Sequence, residues 1–483
     1  MNKHFATDYQ VIEIGLYSVA NEQTPYVNLA GDMCKQFQYF EDITWPAYAA
    51  TMVIQDNAEN VISTMPIQGF EKVIVEVDDL TGEGGLNDDG RYKYEFRVWN
   101  ISNRIESERK QTYTLNLISE EGLRNEGTVI NKILSGNTSN VVKKLLGEYL
   151  SVPTKSMDIE DSVTNIKLLP TKKTPFTVVK SLLHKTISES IELKKDNKDE
   201  SDSDIISDAS NSETTKGTGS AGFMFFQTHR GHVFRSIDGL IVNENNKVSK
   251  AKPAQPVFHD KRTPYYWQPA KNDDPSLYRI QEVVFSTELD MIKKLRTGHY
   301  SSVMCAIDIN NLTYKEQIYR LEDTWDQMQH LGSQTKLPKG QVNLSKYPTR
   351  IMSTILDNEV WNPDPKIGSV EEGGDGSHQY QDYQLNYLSQ GLARSGILFN
   401  QQLTISLTGH LELCAGDKIE IMIPNQTQEA LKGDTTYDSE HSGTYLIKQV
   451  NHQFNMTDSR NVYTVLDLLR DSQGIKDQDS IVK

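Results

Sequence analysis

The chain has 483 residues, 66 acidic against 50 basic, a formal net charge of −16 and a mean hydropathy of −0.56. At about 150 residues per domain that length implies roughly three domains, and no window approaches the roughly 18 apolar residues of a membrane span. The acidic excess argues against electrostatic capture of nucleic acid, which needs Lys and Arg gathered to displace phosphate counterions, and describes a solvated surface instead. Cys34, Cys305 and Cys414 are odd in number and far apart, the pattern of reduced thiols and not of a disulfide framework. The opening MNKHFATDYQVIEIGLY holds no basic segment followed by an apolar run, so no secretory signal is expected and assembly in a cytoplasm is.

Residues 1–120 read as sheet. In QVIEIGLY, Ile12, Ile14 and Leu16 alternate with Val11, Glu13 and Gly15, and EKVIVEV repeats the period with Val73, Val75 and Val77. RYKYEFRVW puts Tyr92, Tyr94, Phe96 and Val98 on one face and Arg91, Lys93, Glu95 and Arg97 on the other, behind the turn residues NDDG. QTYTLNLI follows with Tyr113, Leu115 and Leu117. One wet face on the clearest strands predicts antiparallel pairing.

Residues 121–190 read as a helical, mixed region. SNVVKKLLGEYL places Val141, Val142, Leu145, Leu146, Tyr149 and Leu150 on one stripe behind Ser139 as cap. In TPFTVVKSLLHKTIS, Thr174 caps, Pro175 suits the first helical position, and Phe176, Val179, Leu183 and Ile187 face inward. Residues 191–220, charged and serine-rich without aromatics, have the composition of a disordered acidic loop.

Residues 221–390 read as a mixed α+β region. GFMFFQTHRGHVFRSIDGLIV predicts a hairpin with Gly231 in the turn and His229 and His232 as exposed imidazoles, a reading favoured over a metal site. LYRIQEVVFSTELDMIKKLRTGHYSSV predicts a helix and a turn at Gly298 ahead of a strand pair, EDTWDQMQHL a short helix, and 332–380 a polar arm. QDYQLNYLSQGLARSGILFN then gives a helix with Tyr383, Leu388 and Leu392 on its stripe. Residues 391–470 return to sheet, before a polar tail over 471–483. In GHLELCAGDKIEIMIPN, period two sends Leu411, Leu413, Ile419, Ile421 and Ile423 inward and His410 and Cys414 the other way, with Pro424 ending the strand. That spacing describes scaffolding and not a ligand cluster.

The two sheet regions echo one another. A valine strand, a polar excursion, YKYEFRVWNISNRIESERKQTYTLNLIS and a polar exit are matched near the C-terminus by KIEIMIP, a polar excursion, then TYLIKQVNHQFNMTDSRNVYTVLDLLR. Each long strand returns through a Tyr-Thr strand beginning at Tyr113 or Tyr463.

Four stretches in order, AATMVIQDNAENVISTMPIQGFEKVIVEV, GFMFFQTHRGHVFRSIDGLI, GHYSSVMCAIDINNLTYKEQIYRLEDTW and LCAGDKIEIMIPN with SGTYLIKQVNHQF and VYTVLDLL, give the chain its resemblance to a known family. It resembles the central baseplate hub proteins of contractile-tailed phages of the T-even type, related in fold to the hub part of type VI secretion spikes. The resemblance implies a β-rich α+β fold with two tail-tube-like antiparallel barrels, 1–120 and 391–470, and a mixed middle region. It implies a structural, non-enzymatic homotrimer in the virion tail that matches a six-fold tail tube to a three-fold central spike, with baseplate wedges around it. DNA would pass a lumen kept from phosphate binding by like charge. No catalytic, cofactor-binding or metal residue is nominated, and no cofactor. The alternatives are a tail-associated cell-wall hydrolase and a receptor-binding adhesin. For the first, the sequence offers no HExxH, Gly-x-Ser-x-Gly or P-loop motif, and 66 acids make carboxylate pairs uninformative.

Overall fold

The computed structural model describes residues 9–31, 33–57, 61–65, 67–79, 91–107, 110–189, 220–242, 265–267, 279–287, 291–309, 312–325, 328–332, 347–356, 361–363, 377–424, 437–438, 440–457 and 461–472. The predicted acidic loop and C-terminal tail lie outside this set, apart from a few residues at their edges.

The N-terminal unit contains β1 (Tyr9–Tyr17), β2 (Val27–Asn28), β3 (Cys34–Asp42), β4 (Ala49–Asp56), the short α1 (Val61–Thr64), β5 (Lys72–Asp79), β6 (Arg91–Ser107) and β7 (Lys110–Ile118). The strands pair antiparallel in the order β2-β1-β5-β6-β7-β4-β3. Their inward residues, among them Phe37, Tyr39, Met52, Val75, Tyr94, Phe96 and Leu115, share one core. Beyond β2, Leu29 donates its N–H to Ile14 O and accepts from Cys34 N–H, so a backbone bridge links the β1 and β3 edges. The valine and tyrosine faces lie as alternation predicts, but Ile12 does not. A bulge between Val11 and Glu13 resets the period and leaves Ile12 37% exposed.

A middle region follows: α2 (Glu120–Gly127), β8 (Leu134–Asn137), α3 (Thr138–Lys144), β9 (Met157–Ile159), β10 (Thr164–Leu168), α4 (Pro175–Leu182), β11 (Phe223–Thr228), β12 (Gly231–Ser236) and α5 (Ile237–Val242). Ser139 is not the cap of α3. Asn137 accepts from Ser139 N–H, and the Ser139 hydroxyl donates to Glu160 O, because the chain enters from β8 one residue pair earlier. The α3 stripe runs on through a wide turn at Leu145–Tyr149, and its Val141, Val142, Leu145 and Leu146 pack with Phe176, Val179 and the β11–β12 hairpin. Leu183 lies just past the end of α4, and Ile187 is buried outside the helix, bridging Ala221. Gly231 holds φ 137°, and a Cβ there would sit 2.2 Å from Ser156 O. Gly231→Ala is therefore expected to lower stability by about 2–3 kcal/mol through left-handed strain and a backbone clash, readable as a shifted denaturant midpoint at unchanged slope.

The remaining elements are β13 (Tyr265–Trp267), β14 (Arg279–Thr287), α6 (Met291–Arg296), β15 (Ser301–Asp308), β16 (Thr313–Arg320), α7 (Leu321–Thr324), β17 (Arg350–Leu356), β18 (Trp361–Pro363), α8 (Ser377–Leu398), β19 (Gln401–Thr408), β20 (Lys418–Met422), β21 (Gly443–Asn455) and β22 (Val462–Arg470). The helix, the turn at Gly298 and the strand pair expected from Leu277 onward are present as α6, Gly298 at φ 72° and β15–β16. The helix is confined to Met291–Arg296, and Arg279–Thr287 ahead of it is a strand, in which a bulge between Ile280 and Glu282 sets inward Ile280 and Val283 three apart, a helix-like spacing. Within the predicted polar arm two strands form: β17 pairs in parallel with β15, and β18 pairs antiparallel with β10. The β15 partner supplies an ordering that local polarity does not encode.

In the C-terminal unit β14, β19, β22, β21, β20 and β13 pair in that order, and β13 pairs with both β20 and β14, so the pairings run in a ring around one core. The unit thus draws β13 and β14 from the stretch read as the middle region. Among the described residues of GHLELCAGDKIEIMIPN, Lys418–Met422 is the strand. Residues 409–417 are a loop with Gly416 at φ 87°, and it buries His410 and Cys414 along with the leucines. Leu411 enters the N-terminal core while Leu413 enters the C-terminal one.

The echo is matched at the level of register. The chain-order series β3, β4, β5, β6, β7 and β14, β19, β20, β21, β22 have the same antiparallel neighbours: first with second, second with fifth, third with fourth, fourth with fifth. Phe37 faces Met52 and Met52 faces Leu115; Val283 faces Ile405 and Ile405 faces Leu466. Both long strands bulge at the same step, Val98/Asn100 in β6 and Ile447/Gln449 in β21, and both first strands do, Cys34/Gln36 and Ile280/Glu282. With Leu115 equivalent to Leu466, the partner of buried Tyr113 is buried Thr464, and Tyr463 faces the other way. Matching Tyr-Thr to Tyr-Thr was one residue out, and a one-residue slip exchanges the faces of a strand. The two units join where β3 residues Gln36–Asp42 pair with β21 residues Gln449–Asn455, making one thirteen-stranded sheet.

Candidate assembly surfaces

Three elements distant in sequence meet at the joint between the units. Glu41, at the end of β3, is buried, and its Oε1 accepts from Tyr39 OH at 2.6 Å and His229 N–H at 2.7 Å while Oε2 accepts from Ala415 N–H at 2.9 Å. His229 Nδ1 lies 3.2 Å from the same carboxylate and 3.4 Å from Cys414 Sγ. Burial raises the Glu41 pKa, but the hydrogen bonds and charge of its neighbours outweigh it and hold the group below the usual carboxylate value. Burial, reinforced by Glu41, pushes the Cys414 thiol well up. Arg230 reaches Asp417 at 3.1 Å from the same turn.

Glu41, His229 and Cys414 form a grouping of possible metal ligands. Glu41 takes hydrogen bonds from its own strand, from His229 and from Ala415, so the arrangement also staples the two sheet units to the β11–β12 hairpin. The expected exposed imidazoles are both inside. His232 packs against Phe225 and Phe176 and is 1% exposed, because the hairpin tip tucks under the joint. Residues 41, 229 and 414 carry no spacing signal, since each arrives from a different region of the chain.

A second buried network holds the middle region to the C-terminal unit. Arg394 of α8 is fully buried, donates to Asp238 at 2.9 Å and to Asp471 at 2.8 Å, and also reaches Gln329 O. His330 Nδ1 lies 2.8 Å from Asp471 and its ring stacks on Trp325 with centroids 3.8 Å apart.

Contact surfaces are prominent. The sheet β16-β15-β17 buries Met304 and Ala306 against Leu388 and Leu392 of α8. Its other face presents Ile307, Tyr314, Ile318, Ile351 and Ile355, all more than two-fifths exposed, a contiguous apolar patch set by the registers Ile307–Tyr314, Ile307–Ile355 and Val303–Ile318. The side chain of Tyr383 lies outside the described residues. Among the described residues, no helix is long and apolar enough to cross a membrane.

No family model and no curated protein matches the sequence. Solved structures do. The chain is similar to phage tail proteins and to type VI secretion proteins. The tail protein from Neisseria meningitidis MC58 is 10% identical, with 96% of this chain and 97% of that one covered and a TM-score of 0.47. The 43 kDa tail protein of prophage MuSo2 from Shewanella oneidensis is 7% identical, with 95% and 99% covered and a TM-score of 0.47. An E. coli component of the type VI secretion system, described as similar to the T4 tail proteins gp27 and gp5, is 9% identical, with 97% and 79% covered and a TM-score of 0.39.

Proposed function

We propose that this chain is a structural baseplate hub, a homotrimer that presents a pseudo-six-fold ring to a tail tube and three-fold symmetry to a central spike. The observation that carries this reading is the internal duplication. Two sheet units with the same strand order, register and bulges are joined edge to edge in one chain. Three such chains offer six near-equivalent units on one side while every other surface obeys three-fold symmetry. The two units act as tube-like barrels, wedge proteins bind outside, and the apolar face of β16-β15-β17 supplies one contact of that kind. DNA passes the ring without specific binding, because a net charge of −16 repels phosphate. The chain performs no chemistry of its own and takes no cofactor.

The test is the mass and projection symmetry of the purified protein. A mass near three times 54.8 kDa with a holed, six-lobed projection is expected. A monomer that stays compact and monomeric when a three-fold spike protein is added would overturn the hub reading.

A further inference from the structure

The duplication also specifies which edges of the molecule are left to be filled. Within the chain, the joint between units is β3 against the distal half of β21. At the bulge Ile447/Gln449, β21 exchanges one neighbour for another, pairing with β20 through Gly443–Leu446 and with β3 through Gln449–Asn455. Its counterpart β6 bulges at Val98/Asn100, and there its pairing with β5, through Arg91–Arg97, ends. Beyond that point no described strand occupies the side on which β3 lies in the equivalent strand.

The counterpart of β3 is β14. Its far edge meets β13 only at Arg279 and Ile280, so from Glu282 onward no described strand pairs with it there. Burial follows this difference. Along β21 the distal Val450 and Phe454 are buried beneath the joint, whereas their counterparts on β6, Ile101 and Glu106, are half-buried and exposed, and Ile105 on the opposite face is exposed as well. On β3 Phe37 and Tyr39 are fully buried, whereas Phe285, the equivalent of Tyr39, is 43% exposed, and the neighbouring Val284 is 49% exposed.

We infer that the distal half of β6 and the outer edge of β14 are the two halves of one intermolecular joint, β14 of one copy pairing antiparallel with β6 of the next copy of this chain. The inference rests on the trimeric reading for the number of copies and on the duplication for the edges. The occupant is a second copy because the chain itself carries the shape that fits each edge: β3 already makes this contact with β21. The internal joint also sets the register. Gln38 faces Gln453 across β3–β21. The equivalent of Gln38 is Val284. The equivalent of Gln453 is Ile105, after allowing for the additional β6 bulge between Ser102 and Ile105, where Asn103 sits at φ 52°. The intermolecular joint therefore sets two exposed apolar side chains opposite one another, in the range where cross-strand pairs interact.

A double variant, Ile105→Cys with Val284→Cys, tests this directly, since directly opposed strand positions suit a disulfide and the native Cys34, Cys305 and Cys414 are all buried. On mild oxidation most of the chain is expected to move to covalent dimer and trimer on a non-reducing gel, and either single variant to remain uncrosslinked. Gln38→Cys with Gln453→Cys reports the internal joint and should close within one chain. Trp99→Cys with Val284→Cys, roughly 15 Å out of register at about 3.3 Å per rung once the two β6 bulges are allowed for, should stay open. A trimer by light scattering with no 105–284 crosslink overturns the edge assignment and leaves the hub reading standing. A 105–284 disulfide confined to single chains, or a monomer without crosslinks at the highest concentration reached, also overturns it. The hub reading is then decided separately by the spike-addition experiment.

Discussion

Replacing Arg394 with alanine is expected to lower the unfolding free energy by about 3–5 kcal/mol, the range for removing one partner of a buried ion network. The guanidinium is fully buried and its donors meet two separate carboxylates, Asp238 from α5 and Asp471 just beyond β22. Burial lowers its pKa, but both carboxylates more than reverse that and hold the group firmly charged. Burial likewise pushes Asp471 up, and His330 and Arg394 together pull it far below the usual carboxylate range. Deleting the cation leaves Asp238 and Asp471 in a buried interior with Leu331 N–H, the Ser472 hydroxyl and His330 as the remaining partners of Asp471. Arg394→Lys keeps the charge without the planar fork, so an intermediate loss is expected. Chemical denaturation of the three proteins checks the order. A loss under about 1 kcal/mol in the alanine variant would mean that water or rearranged neighbours replace the arginine, and the network would not be what holds α8 to the C-terminal unit.

How far these features could be read from sequence depends on whether they are local. The strands around Val75, Tyr94 and Leu115 were legible because one face is buried and period two survives, and the hairpin at Gly231 because its turn demands glycine. Bulges defeated the same reasoning at Ile12 and along Arg279–Thr287, since one inserted residue converts alternation into a helical spacing. The order of the echo was visible in the valine, long-strand and Tyr-Thr sequence, but its register was not. Tyr113 and Tyr463 look equivalent as letters and face opposite ways, and only the ladder partners Leu115 and Leu466 fix the match. The staple at Glu41 and the Arg394 network had no sequence signal, because each assembles side chains from elements whose proximity is created by the fold. The joint between units was likewise invisible, for nothing in QFQYFED announces that its second edge will meet QVNHQFN.

The same buried polar groups make acid the most damaging change of conditions. Burial depresses the pKa of His232 to about 3 and that of His452 to about 4, and burial with nearby Lys294 depresses His299 to about 4. In the unfolded chain each would titrate near ~6.5. The unfolded state therefore binds more protons between these values, so the stability conferred by keeping the rings neutral is fully present above about pH 6.5 and is lost as pH falls toward 4. Each ring removes about 1.4 kcal/mol per pH unit in that window, and His184, also depressed by burial, adds to the loss with the same sign. Glu41 and Asp471, held below their ordinary values, add to the loss lower down. Glu160 and Asp417 are raised, chiefly by burial, and act with the opposite sign in the carboxylate range, which leaves pH 6.5 to 5 to the histidines. Thermal unfolding should thus show a flat Tm above pH 7 and a steep fall from about 6.5 downward. His452 is the informative position: it lies in the stretch of β21 paired with β3, stacks parallel to Tyr39 with centroids 6.0 Å apart, and its Nδ1 lies 3.0 Å from Thr464 Oγ1. His452→Gln retains a polar group of similar size and should lower the acid slope by at most about a third. An unchanged slope would place the acid sensitivity outside the joint between the two sheet units.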